Sequence, residues 1–158
     1  MKILFICSAN ICRSALAEVI LRKKLREKGL ADIEVDSAGV HNYAGEPRDY
    51  IMCSYACKAG YEMGGESKYI SQEQADTADL IICMEHFHVV EMQKRLPYVS
   101  WGCIKLFNEI CFDEHTNLID PSGNTGYIYG ITLQHIEEGC VTLAWKLSKM
   151  LREGELFF

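Results

Sequence analysis

The sequence predicts a three-layer, doubly wound α/β domain with a four-stranded parallel sheet, on three observations. Short apolar runs alternate with segments of helical periodicity. Several of those runs are continuously apolar, as strands covered on both faces require. No internal repeat, low-complexity tract or linker interrupts the chain. With 158 residues and 49% hydrophobic side chains it can bury one core and is short for two, so one domain over 1–158 is expected.

The elements follow in order. "KILFIC" at 2–7 reads as a buried strand, and 13–28 carry apolar residues at helical spacing until Gly29 supplies a stop. "DIEVDSAG" reads as a second strand running into a glycine-containing loop, and 48–59 as a helix. "ADLIICM" at 78–84 is a third strand; "HFHVVEMQKRL" is a helix that must end near Pro97. "CIKLF" at 103–107 gives a fourth strand. Residues 128–151 close the chain as a helix with Ile128, Ile131, Ile136, Cys140, Leu143, Leu147 and Met150 near one face.

Composition narrows function. A formal charge of −6 opposes a bulk electrostatic grip on nucleic acid or anionic lipid, so any anion site is local. The basic run at 22–28 falls on a helix and reads as its solvated face. No stretch is long and apolar enough to span a membrane, and the start lacks a secretory pattern, which makes the cytoplasm the default location. Eight cysteines in such a chain read as free thiols, with Cys83 and Cys140 packing as small hydrophobes. Cys53 and Cys57 share an i,i+4 spacing, but no second ligand pair at zinc-like spacing accompanies them, and no metal is expected.

The chemistry gathers in "CSANICRS". It joins the first strand to the first helix, at the carboxyl edge where doubly wound sheets bind ligands. The backbone N–H groups of Ser8, Ala9, Asn10, Ile11, Cys12, Arg13 and Ser14 can form an anion nest whose field the helix dipole reinforces. The same field stabilises a Cys7 thiolate as a nucleophile. Arg13 can grip two phosphate oxygens, Ser14 can donate to the thiolate, and Asn10 suits a left-handed backbone position. Cys12 can resolve an oxidised Cys7 as a disulfide. A leaving group also needs a proton, and Asp120 in the "LIDPSGNTG" loop is the best-placed acid. Alternatively, Cys7 merely ends a strand, Arg13 sits on a solvated helix, and Asp120 forms an Asp-Pro turn. The five histidines, His41, His86, His88, His115 and His135, read as surface or core residues.

With these residues in view the chain resembles the low-molecular-weight protein tyrosine phosphatases. The resemblance rests on an ordered set: a strand ending in "CSANICRS", then "DSAG", "YAGEPRDY", "ADLIICM" and a late "DP". It implies a four-stranded parallel sheet and cofactor-free hydrolysis of phosphate monoesters through a cysteinyl-phosphate. A tyrosine-phosphorylated protein or small aryl phosphate would be the substrate and inorganic phosphate the product. By position, Cys7 resembles the nucleophile, Arg13 the phosphate ligand, Ser14 the thiolate's hydroxyl partner and Asp120 the general acid. Asn10 and Ser37 match loop-supporting residues, Cys12 the neighbouring thiol, and Ser8 and Tyr43 the entrance that tunes substrate choice. There are departures. Ala9 stands where glycine is usual and requires a negative φ; Ala15 replaces a common proline. A loop-supporting histidine is replaced near Gly65, and "DPSG" lacks the aromatics that often follow the acid. Tyr127 and Tyr129 read as surface or core residues rather than as that wall. Two rival readings are a thiol-dependent arsenate reductase, for which "MEHFHVVEMQ" lacks the relay cysteines, and a noncatalytic phosphoprotein-binding module.

Overall fold

The computed structural model describes residues 1–154. Four parallel strands, β1 (Lys2–Cys7), β2 (Glu34–Gly39), β3 (Leu80–Cys83) and β4 (Ile104–Leu106), lie in the order β2-β1-β3-β4. Six helices cover them: α1 (Arg13–Glu27), α2 (Tyr50–Lys58), α3 (Gln72–Thr77), α4 (His86–Arg95), α5 (Phe107–Phe112) and α6 (Gly126–Glu153).

Strand β1 explains why the sheet is sandwiched. Its side chains alternate between faces: Ile3, Phe5 and Cys7 join the cluster under α1 and α6, whereas Leu4 and Ile6 join Met92 and Leu96 from the α4 side. Ile3 to Ile6 are fully buried, each contributing about 1.5–3 kcal/mol by apolar burial. On the first face α1 packs against α6, which is why two long amphipathic helices flank the start of the sheet.

Two short helices, α3 and α5, were not expected. Ser71 opens α3 with a capping box to Gln74, a signal present in the sequence but followed by too few residues for a periodic pattern. The fourth strand stops at Leu106 instead of Phe107, because Phe107 begins α5 and packs near the rings of Phe5 and Phe112. The expected face of α6 holds at Ile136, Cys140, Leu143 and Leu147, with Met150 packed against the core, and departs only near the amino-terminal end. Tyr129, Thr132, Leu133, Ile136, Cys140, Leu143 and Leu147 face the core, while Ile131 is exposed. Cys83 and Cys140 are buried free thiols, as read from their apolar surroundings. No helix among the described residues is long and apolar enough to cross a membrane.

The strand order places the site. From β1 the chain moves to β2 on one side, then crosses to β3 on the other, opening a crevice at the carboxyl ends of β1 and β3. Cys7 pairs with Gly39, and Ile6 with Cys83, so the segments leaving three strands meet there. The stretch before α6 joins them through Leu118 N–H, which donates to Met84 O at 2.9 Å.

Candidate active site

Cys7 ends β1 and α1 begins at Arg13, so residues 8–12 form a tight loop whose amides precede the amino terminus of a 15-residue helix. The reversal turns on Asn10, at φ 58°; the only other non-glycine residue with positive φ among those described is Asp113. Ala9 lies outside the left-handed region, which is why alanine is accepted there. Gly39 backs onto the loop so closely that an added Cβ would lie 2.7 Å from Ser8 O and 2.8 Å from the Ala9 carbonyl carbon. The "DSAG" motif therefore ends in glycine for want of space.

Hydrogen bonds beneath the loop run in one direction. The Glu18 carboxylate can only accept, and Ser37 Oγ donates its hydroxyl hydrogen bond to it. Ser37 must then accept from Asn10 Nδ2, at 2.8 Å. The second hydrogen of that amide goes to Ser14 Oγ at 2.9 Å, leaving the Ser14 hydroxyl proton free for Cys7 Sγ, also 2.9 Å away. The Asn10 N–H adds a donor 3.3 Å from the same sulfur. A thiolate here thus receives two hydrogen bonds, one ordered by a carboxylate at the far end of the relay, beyond Ser14, Asn10 and Ser37. The Asn10 amide cannot turn over, because its Oδ1 already accepts from Arg48 Nη1 and Lys68 N–H, both at 2.9 Å.

Arg13 is buried and its guanidinium joins the two sides of the crevice. Nη1 donates to Glu85 Oε1 at 2.6 Å and to Leu118 O at 2.8 Å; Nη2 donates to Asp120 Oδ2 at 3.2 Å. Asp120 is 44% exposed on its side chain, and its Oδ1 accepts from Ser122 N–H at 3.0 Å within the Asp-Pro turn. An anion in the nest would compete with both carboxylates for this fork.

His88 lines the third wall. Its Nδ1 accepts from Glu85 N–H at 3.0 Å, so its proton sits on Nε2, which donates to Ser8 Oγ at 2.9 Å. Burial, with Arg13 next, pushes its pKa down to about 3, keeping the ring neutral. Cys12 is buried, and desolvation together with the charge of Asp49 pushes its thiol pKa up.

The structure brings Cys7, Ser8, Ala9, Asn10, Ile11, Cys12, Arg13, Ser14, Ser37 and Asp120 into one constellation. Tyr43 is half-exposed in the loop after β2; that loop is tied to the site by Val40 N–H to Cys7 O and His41 N–H to Ser8 O, at 3.0 and 2.9 Å. Tyr127 is exposed. Tyr129 is buried and donates to Asp49 Oδ2 at 2.8 Å, so of the two readings, surface or core, it is a core residue.

Glu18, Arg48, Ser67, Glu85 and His88 belong to the site although sequence reasoning did not select them. One signal was available for Glu18: it lies one helical turn beyond Ser14, on the same face of α1. Glu85 and His88 follow β3 directly, at the carboxyl edge where ligands bind. Arg48 falls within the "YAGEPRDY" stretch that carries the resemblance, though nothing there singled it out, and Ser67 had no signal. They brace the loop in the absence of the histidine replaced near Gly65: Ser67 Oγ donates to Ala9 O at 2.6 Å, and Arg48 Nη1 donates to Asn10 O.

Comparison with known proteins agrees with this arrangement. Residues 2–153 match the family model of low molecular weight phosphotyrosine protein phosphatases. The chain is similar to the low molecular weight protein-tyrosine-phosphatase Etp of Escherichia coli K12, at 35% identity over 121 residues and 76% of each chain. Among solved structures it resembles a protein tyrosine phosphatase from Entamoeba histolytica, at TM-score 0.85 and 28% identity, covering 99% of this chain and 98% of that one. It also resembles the YwlE arginine phosphatase from Geobacillus stearothermophilus, at TM-score 0.88 and 25% identity, covering 98% and 97%. A family match over nearly the whole chain, on a four-stranded parallel sheet with the cysteine loop at its carboxyl edge, establishes that this chain is a phosphatase belonging to the low molecular weight phosphotyrosine protein phosphatase family.

Proposed function

We propose that the chain hydrolyses phosphotyrosine in proteins through a phosphocysteine intermediate, with Cys7 as nucleophile, Arg13 as phosphate ligand and Asp120 as general acid. The observation that carries the proposal is the convergence on one loop of a sulfur hydrogen-bonded by Ser14, a helix amino terminus, and an arginine 3.2 Å from a half-exposed carboxylate.

The steps follow from these positions. The phosphate dianion enters the nest and takes the Arg13 fork, releasing Asp120 from that ion pair, and the freed carboxylate takes up a proton from solvent. Cys7 sulfur attacks phosphorus in line with the tyrosyl oxygen; the P–O bond breaks, and the oxygen leaves with the proton that Asp120 supplies. Asp120, now a carboxylate, takes a proton from water as that water attacks the phosphocysteine. Inorganic phosphate leaves, and the Ser14 hydroxyl and Asn10 N–H stabilise the thiolate that departs. Every proton is returned and no cofactor is consumed.

Tyrosine is favoured as the phosphorylated residue because the more similar relatives carry that name: Etp, and the human low molecular weight phosphotyrosine protein phosphatase at 33% identity over 124 residues. The test is phosphate release from p-nitrophenyl phosphate, a phosphotyrosine peptide and a phosphoarginine peptide, with EDTA present, for wild type and Cys7→Ser. Turnover of the tyrosine peptide, abolished in the variant, is expected. A preference for the phosphoarginine peptide would reassign the substrate. Tight peptide binding without phosphate release would make the protein a binding module instead.

A further inference from the structure

Arg48 lies outside the set that handles phosphate, yet its side chain ends on the loop that does. Nη1 donates to both oxygens of Asn10, main-chain and side-chain, and Nε donates to Gly64 O at 3.1 Å. Among the described residues no carboxylate lies within ion-pair distance of it, so its donors are spent on the loop and not on a stabilising salt bridge. The contact falls on the one residue of the loop with a left-handed backbone, whose amide also starts the donation that ends on Cys7.

We infer that Arg48 is a positioning residue of the phosphatase reaction: it fixes the Asn10 amide, and through it the Ser14 hydroxyl that donates to the Cys7 sulfur. The inference rests on the phosphatase reading above. Its physical content is an orientation. The guanidinium saturates one side of Asn10 Oδ1 with a charged donor, so the Asn10 NH₂ group faces Ser14 and Ser37 and no other arrangement competes. The main-chain bond to Asn10 O holds the left-handed turn that aims the loop amides inward. Truncating Arg48 leaves Lys68 N–H as the remaining donor to Oδ1, and the amide gains freedom when the sulfur most needs its hydrogen bond.

The surroundings offer a specific test. A solvent-open cavity of about 270 Å³ borders Arg48, lined also by Glu18, Val19, Glu62 and Gly64. A small guanidinium ion can enter from there. In Arg48→Ala, kcat for p-nitrophenyl phosphate is expected to fall by about tenfold to a hundredfold. The inhibition constant of inorganic phosphate should change less, because Arg13 and the loop amides remain. Added methylguanidinium should restore part of kcat, and methylammonium, which lacks the planar fork, should not. Arg48→Lys, the milder change for folding, should keep the charge and still turn over more slowly than wild type.

The inference is overturned if folded Arg48→Ala keeps its kcat within about twofold while only its thermal midpoint falls, since that marks a purely structural contact. If Arg48→Ala does not fold, Arg48→Lys decides: turnover equal to wild type overturns it. An active wild type with unaffected variants defeats the Arg48 assignment alone, whereas an inactive wild type defeats the phosphatase reading beneath it.

Discussion

The floor of the site and its rim are built differently. Under Cys7, the side chains of Asn10, Ser14, Ser37 and Glu18 are buried, and each donor has an acceptor among its neighbours. Across the crevice Asp120 stands half-exposed in a short turn, preceded by the exposed Ile119, and meets the floor only through Arg13. The difference follows from what each part must do. A sulfur that gains and loses charge is served best by dipoles already in place, which cost no reorganisation during the reaction. A carboxyl that gives and retakes a proton must trade Arg13 for the substrate and meet water, so burial and saturation would disable it.

Removing the rim's proton donor should produce the largest effect. Asp120→Asn is expected to lower kcat by about 10²–10⁴-fold for alkyl or unactivated phenyl phosphates, and much less for p-nitrophenyl phosphate, whose phenolate departs without help. Steady-state kinetics across a leaving-group series checks this; equal losses along the series would remove Asp120 from the acid's role. The floor should break through shape instead. Gly39→Ala places a methyl group against the backbone of Ser8 and Ala9, which cannot give way without moving the nest. A loss of about a hundredfold in kcat/KM is expected, alike for good and poor leaving groups. A leaving-group dependence in this variant would mean that floor and rim are not separable.

The same division governs what the sequence revealed. Cys7, Arg13, Asn10 and Ser14 were legible because one local segment carries them, and its place between a strand and a helix gives each residue type a physical task. The parallel sheet was legible from continuous apolar runs such as "LIIC", whose two buried faces erase alternation. Of the remoter supports, Ser37 was reached through the family resemblance, whereas Arg48 and His88 were not reached. Arg48 reaches Asn10 across 38 positions, and His88 reaches Ser8 across 80, contacts that no local pattern encodes. Only the start of α6 departs from its apolar pattern, because Tyr129 and Thr132, polar by composition, are buried there and Ile131 is exposed. Tyr129 enters the core because Asp49 accepts its hydroxyl, a partner visible only once α2 and α6 are packed.

His88 joins the two regions, and acid should expose its contribution. An unfolded histidine protonates near pH 6.5, whereas the folded ring stays neutral until about pH 3. Between those values the unfolded chain binds the extra proton, so stability is fully present above about pH 6.5 and is lost as pH falls toward 3. This residue alone should cost about 1.4 kcal/mol per pH unit in that window. His88→Asn should be less stable at pH 7 by about 1–3 kcal/mol, through the lost bonds to Ser8 and Glu85 N–H, and flatter with pH by that slope. Urea unfolding of both proteins at pH 7 and pH 5 gives the comparison. Parallel slopes would mean that the folded ring takes up a proton as readily as the unfolded one.

The smallest expected effect appears only after oxidation, and it tests whether the floor protects its own nucleophile. Peroxide converts the Cys7 thiolate to a sulfenic acid with loss of hydroxide; the Cys12 thiol can then attack that sulfur, releasing water and closing a disulfide that added thiol reduces. Both cysteines are free and buried in the same loop, and the charge of Cys7 reaches Cys12. Because burial holds Cys12 as a thiol, it does not compete for peroxide, yet it stands ready once Cys7 has become electrophilic. After brief peroxide treatment and then dithiothreitol, wild type should regain most of its own starting activity, and Cys12→Ser should regain less as further peroxide carries Cys7 to the irreversible sulfinic acid. Equal recovery would assign the protection to the loop's enclosure rather than to the neighbouring thiol, and would leave Cys12 as a packing residue beneath the helix start.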